Sequence, residues 1–135
     1  MSMSDEVRVP IAGDLDVVTA RQKGREIAAA HGFSGTDQTL IATAISEVAR
    51  NIVSYAGQGE IALSAIVDGG RRGVLVVARD AGPGIPDVAL AMRDGFSTGK
   101  SLGLGLPGAK RLMDDFELAS KPGVGTTVTM RKWAR

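Results

Sequence analysis

The fold is decided by the stretch at residues 41–52, which reads IATAISEVARNI. Apolar side chains recur there every three or four residues, which is the spacing of one face of an α-helix. Gly35-Thr36-Asp37 before the stretch and Gly57 after it predict a helix from residue 35 to about residue 56. A long helix with one apolar face must cover another layer of structure. The predicted apolar stripe comprises Ile41, Ala44, Ile45, Val48, Ile52 and Tyr55.

The residues around this helix predict a second long helix and several strands. Residues 16–31 have helical spacing, and Asp14 or Asp16 can cap the start of that helix. Short helices are predicted at residues 86–92 and 107–113, and strands at residues 7–11, 60–67, 73–79, 116–120 and 126–132. Because the strands form hairpins, we predict a mixed, mostly antiparallel sheet with the helices on one face. This is an α/β two-layer sandwich that comprises residues 1–135 as a single domain.

The composition is that of one ordinary globular domain. The length of 135 residues is near the commonest domain size. With 16 basic and 15 acidic residues, the chain has no strong field to attract nucleic acid or a membrane surface. The absence of cysteine and the single histidine exclude thiolate and imidazole metal clusters. No purely apolar run is longer than residues 74–78, so we expect a cytoplasmic protein without a signal peptide or a membrane span.

The first candidate site is the pair Glu47 and Asn51, which lie four residues apart and therefore on one helix face. A turn of about 100° per residue places Asn51 beside Ala44 at the edge of the apolar stripe, with Glu47 next outward. An amide oxygen there can ligate Mg²⁺, and a carboxylate can act as a general base. The alternative is an ordinary solvated helix face.

The second candidate site is the segment Arg79-Asp80-Ala81-Gly82-Pro83-Gly84-Ile85, which follows a predicted strand. Alternating glycines let the backbone lie close to a flat ligand. A buried carboxylate at Asp80 would accept a hydrogen bond from an exocyclic amine, so it would select adenine over guanine. The alternative is a plain turn at the end of a strand.

The third candidate site is the stretch GFSTGKSLGLGLPG at residues 95–108, in a region where glycine is concentrated. A P-loop needs four residues between its first glycine and Gly-Lys-Ser, and only three separate Gly95 from Gly99. The dinucleotide fingerprint formally matches from Gly103 onward, but no strand precedes it. What remains is a helix start near Gly105 that suits phosphate, with residues 97–104 as a mobile covering loop. The alternative is a disordered surface loop.

Taken together, these sites resemble the boxes of the GHKL ATPase and kinase superfamily, which has the Bergerat fold. The N, G1, G2 and G3 boxes correspond in order to Glu47-x-x-x-Asn51, Asp80-x-Gly82-x-Gly84, Gly103-x-Gly105 and Gly125-Thr126. The resemblance covers residues 36–132, which is nearly the whole chain.

The resemblance implies a role for each matching residue. Glu47 would be the general base, Asn51 the Mg²⁺ ligand and Asp80 the adenine ligand. The other implied ATP contacts are Gly82 and Gly84 at the adenine base, Gly103 and Gly105 at the phosphates, Thr126 on the adenine side, and Thr98 and Lys100 in the covering loop. ATP and Mg²⁺ are therefore the expected nucleotide and metal.

Residues 44–51, 82–87, 94–98 and 105–114 look like those of the RsbT-type serine/threonine switch kinases. Those kinases phosphorylate STAS-domain scaffold proteins of the stressosome, and they also bind and activate a PP2C-type phosphatase of a sigma-factor pathway. The resemblance implies the same activity and partners here. One alternative is an anti-sigma factor that sequesters a sigma subunit and phosphorylates its antagonist. Another is a module that binds ATP without turnover, against which the retained Glu47 argues.

Overall fold

The computed structural model describes residues 2–3, 6–84, 92 and 105–135, and these residues form six strands and three helices. Apart from Met92, the helix predicted at residues 86–92 and the covering loop at residues 97–104 lie outside the described residues. In chain order the elements are β1 (Ser2–Met3), β2 (Val7–Ile11), α1 (Asp14–Ala30), α2 (Gly35–Tyr55), β3 (Gly59–Asp68), β4 (Arg71–Asp80), α3 (Gly105–Leu112), β5 (Asp115–Lys121) and β6 (Gly125–Trp133).

The strands form one sheet in the order β1-β3-β4-β6-β5, and β2 pairs with β3 beside β1. Every strand pair within the described residues is antiparallel. The sheet contains the predicted β3–β4 hairpin, in which Asp68 pairs with Arg71 across the two intervening glycines. The last strand, β6, lies between β4 and β5 rather than at an edge. The sheet, which the sequence predicts as mixed and mostly antiparallel, is thus antiparallel throughout the described residues.

The core lies between one face of the sheet and the helices α1 and α2. The α2 stripe is buried as predicted, apart from Tyr55, which is only partly buried. Gly24 of α1 lies so close to α2 that a Cβ there would be 2.1 Å from Ile45 Cδ1. The sheet contributes its alternate residues to this core, namely Ile61, Leu63, Val74, Val76, Ala78, Val128 and Met130. These two layers confirm the predicted α/β sandwich, and no described helix is both long and apolar enough to cross a membrane.

Two helices begin two residues before their predicted starts. The first, α1, begins at Asp14 after Gly13, and the Asp16 carboxylate accepts hydrogen bonds from the backbone N–H of Ala12 and Gly13 at 2.8 and 3.2 Å. The second, α3, begins at Gly105 rather than at Pro107. Proline remains acceptable there because the first-turn N–H groups of a helix have no partner within the helix.

Gly125, the first residue of β6, lies closely against the end of β4. Its φ is 145°, and a Cβ at this position would lie 2.1 Å from the backbone oxygen of Asp80. We expect Gly125→Ala to lower the free energy of unfolding by at least about 1–3 kcal/mol, the cost of one strained residue. Gly35→Ala is the matched control, since a Cβ at Gly35 meets nothing within 4 Å. Urea denaturation of both variants checks this expectation, and equal stability would contradict it.

Candidate functional site

The helix-facing side of the sheet changes from apolar to polar at the end of β4. Asp80 pairs with Thr126, and Thr126 pairs with Ser120. Residues directly opposite each other in antiparallel strands share a face of the sheet. The alternation that turns Ala78 and Val128 toward the helices therefore turns this polar row the same way. A polar row at the edge of an apolar core is a suitable place to bind a ligand that is part apolar and part polar.

Asp80 is half-buried and lines two clefts, one of about 270 Å³ and one of about 560 Å³. Its Oδ1 accepts a hydrogen bond from the backbone N–H of Gly82 at 3.0 Å. Thr126 is buried, and its hydroxyl lies 2.8 Å from that of Ser120. The smaller cleft contains both Asp80 and Thr126, so the two residues expected near adenine line the same space. A partly accessible carboxylate and a flanking hydroxyl fit the amine edge of a purine.

The glycines after Asp80 have a packing role within the protein. A Cβ at Gly82 would lie 2.5 Å from Ala56 Cβ, and one at Gly84 would lie 2.6 Å from the Lys121 backbone oxygen. The backbone after β4 can therefore lie against the end of α2 and the β5–β6 turn. The sequence predicts that these glycines let the backbone approach a base. The described contacts show that they also let it approach other segments of the same chain.

Glu47 is buried more deeply than the sequence predicted. The helical projection of α2 predicts Glu47 outward of Asn51, but its side chain is only 4% exposed, whereas Asn51 is partly exposed. The reason is that α3 packs on α2 and covers Glu47, which a helical projection of α2 alone does not show. Glu47 Oε1 accepts a hydrogen bond from the Gly105 N–H at 2.8 Å, and Oε2 accepts one from Arg50 Nη1 at 2.9 Å. Gly105 has a φ of 69°, a conformation that glycine adopts without strain.

The two charged side chains that are buried in the described part of the chain hold opposite ends of α3. Glu47 accepts from the first N–H of α3, and Lys132 Nζ donates to the backbone oxygen of Leu112 at 2.9 Å. An anion at the start of a helix and a cation at its end both match the helix dipole. The sequence reasoning missed Lys132. The alternation of β6 indicates that Lys132 points inward, because it continues the inward positions of Val128 and Met130.

The described residues of the candidate site could hold Mg²⁺ only if the nucleotide supplies further ligands. The described residues contain no group of three or more His, Cys, Asp or Glu side chains that could hold a metal alone. Asn51 offers an amide oxygen one helical turn from Glu47, and Mg²⁺ prefers such hard oxygen donors together with phosphates and water. Of the other predicted site residues, Thr98, Lys100 and Gly103 lie outside the described residues.

Lys132 provides a test of how α3 is held. Lys132→Met keeps an unbranched side chain of similar length but leaves the Leu112 carbonyl without this donor. We expect the free energy of unfolding to fall by about 1–3 kcal/mol, as for other buried groups that lose a partner. Lys110→Met is the control, because Lys110 is an exposed lysine on α3 itself. Chemical denaturation measures both changes, and an unchanged stability in Lys132→Met would contradict this role.

Comparison with known proteins identifies the family of this chain. Residues 12–132 match the histidine kinase-like ATPase domain family. The chain is 51% identical over 133 residues to the serine/threonine-protein kinase RsbT of Bacillus subtilis, covering 98% of this chain and 100% of that protein. It is 33% identical over 99 residues to an anti-sigma F factor of a Thermoanaerobacter species, covering 69% of this chain and 68% of that protein.

A solved structure agrees with the fold. It contains the RsbU and RsbW domains of a Mycobacterium tuberculosis protein and matches 98% of this chain with a TM-score of 0.63 at 22% identity. This chain spans 33% of that longer one, and the likeness concerns the fold alone. The predicted GHKL fold is confirmed. The chain belongs to the histidine kinase-like ATPase domain family and, within it, to the serine/threonine-protein kinases related to RsbT.

Proposed function

We propose that this protein is a cytoplasmic, ATP- and Mg²⁺-dependent kinase that phosphorylates a serine or threonine of a STAS-domain regulatory protein. The observation that carries the proposal is the 2.8 Å hydrogen bond between the buried Glu47 carboxylate and the first N–H of α3. The start of a helix is a favourable place for phosphate groups. The bond therefore supports a site in which the proposed base lies beside the proposed phosphate position.

The reaction assigns Glu47 the role of general base. The hydroxyl oxygen of the partner's serine or threonine forms a bond to the γ-phosphorus of ATP, and the bond from that phosphorus to the bridging oxygen breaks. ADP leaves, and the hydroxyl proton goes to the Glu47 carboxylate. The burial of Glu47 favours this role, because a charge held away from bulk water interacts more strongly with a reacting group.

The nucleotide would be held by residues on both layers. Asp80 would accept a hydrogen bond from the adenine amine, with Thr126 on the same side, because both line one cleft. Asn51 would hold Mg²⁺, which when bound neutralises charge on the phosphates. Gly103 and Gly105 would lie along the phosphates, with Thr98 and Lys100 in the covering loop. These assignments come from the resemblance to the GHKL boxes.

The partners follow from the same relationship. A STAS-domain protein of the stressosome would be the substrate, and a PP2C-type phosphatase would be a second binding partner that the kinase activates once it is released. Such partner switching needs a surface for a folded protein rather than a peptide groove, which suits a domain of 135 residues.

An anti-sigma factor is the second candidate. The 33% identity to an anti-sigma F factor favours it, but that likeness spans 69% of the chain, against 98% for the 51% identity to RsbT. Capture of a sigma subunit by the purified protein would support this candidate. Binding of a STAS-domain protein without a sigma subunit would support the first.

Nucleotide choice tests the role of Asp80. We expect tighter binding of ATP than of GTP, and a loss of about 1–3 kcal/mol of ATP binding in Asp80→Ala, because the adenine amine loses its acceptor. The ATP affinity of Asp80→Asn should lie between those of the unaltered protein and Asp80→Ala, because asparagine keeps an acceptor without the charge. Asp68→Ala is the control, because Asp68 is an exposed aspartate at the far end of β3. Calorimetry measures all four proteins, and equal affinity for ATP and GTP would contradict the assignment.

Phosphate transfer tests Glu47 and Asn51 separately. With labelled ATP and STAS-domain proteins, we expect a labelled serine or threonine on one of them. Glu47→Gln keeps an acceptor for the Gly105 N–H, and it should retain ATP binding while transfer falls by about 10²–10⁴-fold. Glu47→Ala should lower transfer at least as far, and Asn51→Ala should weaken Mg²⁺-nucleotide binding and abolish transfer. The control is Glu26→Ala, at an exposed position on α1. Native transfer in Glu47→Gln would place the base elsewhere.

A further inference from the structure

Glu47 has a hydrogen-bond partner on each of its two carboxylate oxygens. The first N–H of α3 donates to Oε1, and Arg50 Nη1 donates to Oε2 at 2.9 Å. The two partners come from different elements. Gly105 is the first residue of α3, whereas Arg50 lies on α2, one turn after Glu47 itself. The carboxylate is therefore fixed from both sides, between the helix that carries it and the helix that covers it.

The ion pair between Arg50 and Glu47 is unequal. The Arg50 side chain is 43% exposed, whereas that of Glu47 is 4% exposed. Arg50 can be solvated by water without Glu47, but Glu47 depends on its protein partners, because a buried charge is costly when it lacks them. Without Arg50, Oε2 loses this partner and the carboxylate can turn about its side-chain bonds. The stabilising effect of the pair thus falls mainly on the position of Glu47.

We propose that Arg50 is a positioning residue for phosphoryl transfer, which it serves by fixing the Glu47 carboxylate. The proposal rests on the function proposed above, in which Glu47 accepts the proton. A base acts only when its oxygen lies within hydrogen-bond reach of the hydroxyl that it deprotonates. Arg50 shares no described contact with Asp80 or Thr126, so its loss affects the base and leaves the adenine end of the site unchanged.

The test compares Arg50→Ala, Arg50→Lys and a control in steady-state phosphorylation of the STAS-domain protein. We expect Arg50→Ala to lower kcat by about 10- to 100-fold, as a displaced catalytic group does, with KM for ATP and for the protein substrate changed by less than about twofold. Arg50→Lys keeps a cation three residues from Glu47 and should recover about half of that loss on a logarithmic scale. The control is Lys23→Ala, which removes the exposed pair of Lys23 and Glu26 at the same i,i+3 spacing on α1 and should leave kcat unchanged.

A double variant separates the possible causes. If Arg50 acts through Glu47, Arg50→Ala added to Glu47→Gln lowers kcat no further, because the effects of two residues that act as a unit do not add. A native kcat in Arg50→Ala, or a change confined to KM for the protein substrate, would overturn the proposal; the second result would make Arg50 a docking residue. If Glu47→Gln transfers phosphate at the native rate, the base assignment itself fails. If Glu47→Gln loses transfer while Arg50→Ala keeps the native kcat, only the positioning role fails.

Discussion

The hydrogen bond from Gly105 to Glu47 joins residues 58 positions apart and fixes where α3 lies on α2. It satisfies a carboxylate that is buried, and it satisfies one of the N–H groups that a helix leaves free at its start. The Glu47 end of the proposed site depends on it. The bond decides where the start of α3 lies relative to Asn51, and Lys132 holds the other end of the same helix from beneath, on β6. A helix of eight residues has little stability of its own, so these contacts with its neighbours define its position.

A second constraint is the crowding around Asp80. Three glycines approach this residue from different elements. A Cβ at Gly59 would lie 3.1 Å from Asp80 Cβ, one at Gly82 would lie 3.2 Å from Oδ1, and one at Gly125 would lie 2.1 Å from the backbone oxygen. Larger residues at these positions would push the neighbouring segments of the protein away from the end of β4. Part of the concentration of glycine between Gly57 and Gly125 therefore reflects packing around one carboxylate.

Local patterns were enough to predict most of the fold. The α2 stripe and the two strands of the β3–β4 hairpin follow from residues close together in sequence, and the structure confirms them. The burial of Glu47 could not be predicted in this way, because it depends on α3, whose residues come more than 50 positions later. Lys132 shows the opposite case. Its inward position in β6 follows from simple alternation, but its partner, the carbonyl of Leu112, can be identified only from the packing.

The place of β6 in the sheet has a consequence for how the domain forms during synthesis. Because β6 lies between β4 and β5, one edge of β4 has no partner until residues 125–133 have been made. An unpaired strand edge with an apolar face is prone to associate with other chains. The pairing of Asp80 with Thr126 also waits for that moment, so the adenine side of the proposed site is among the last parts to form. A ribosome-bound chain would thus present its long helices and first hairpin well before it could bind a nucleotide.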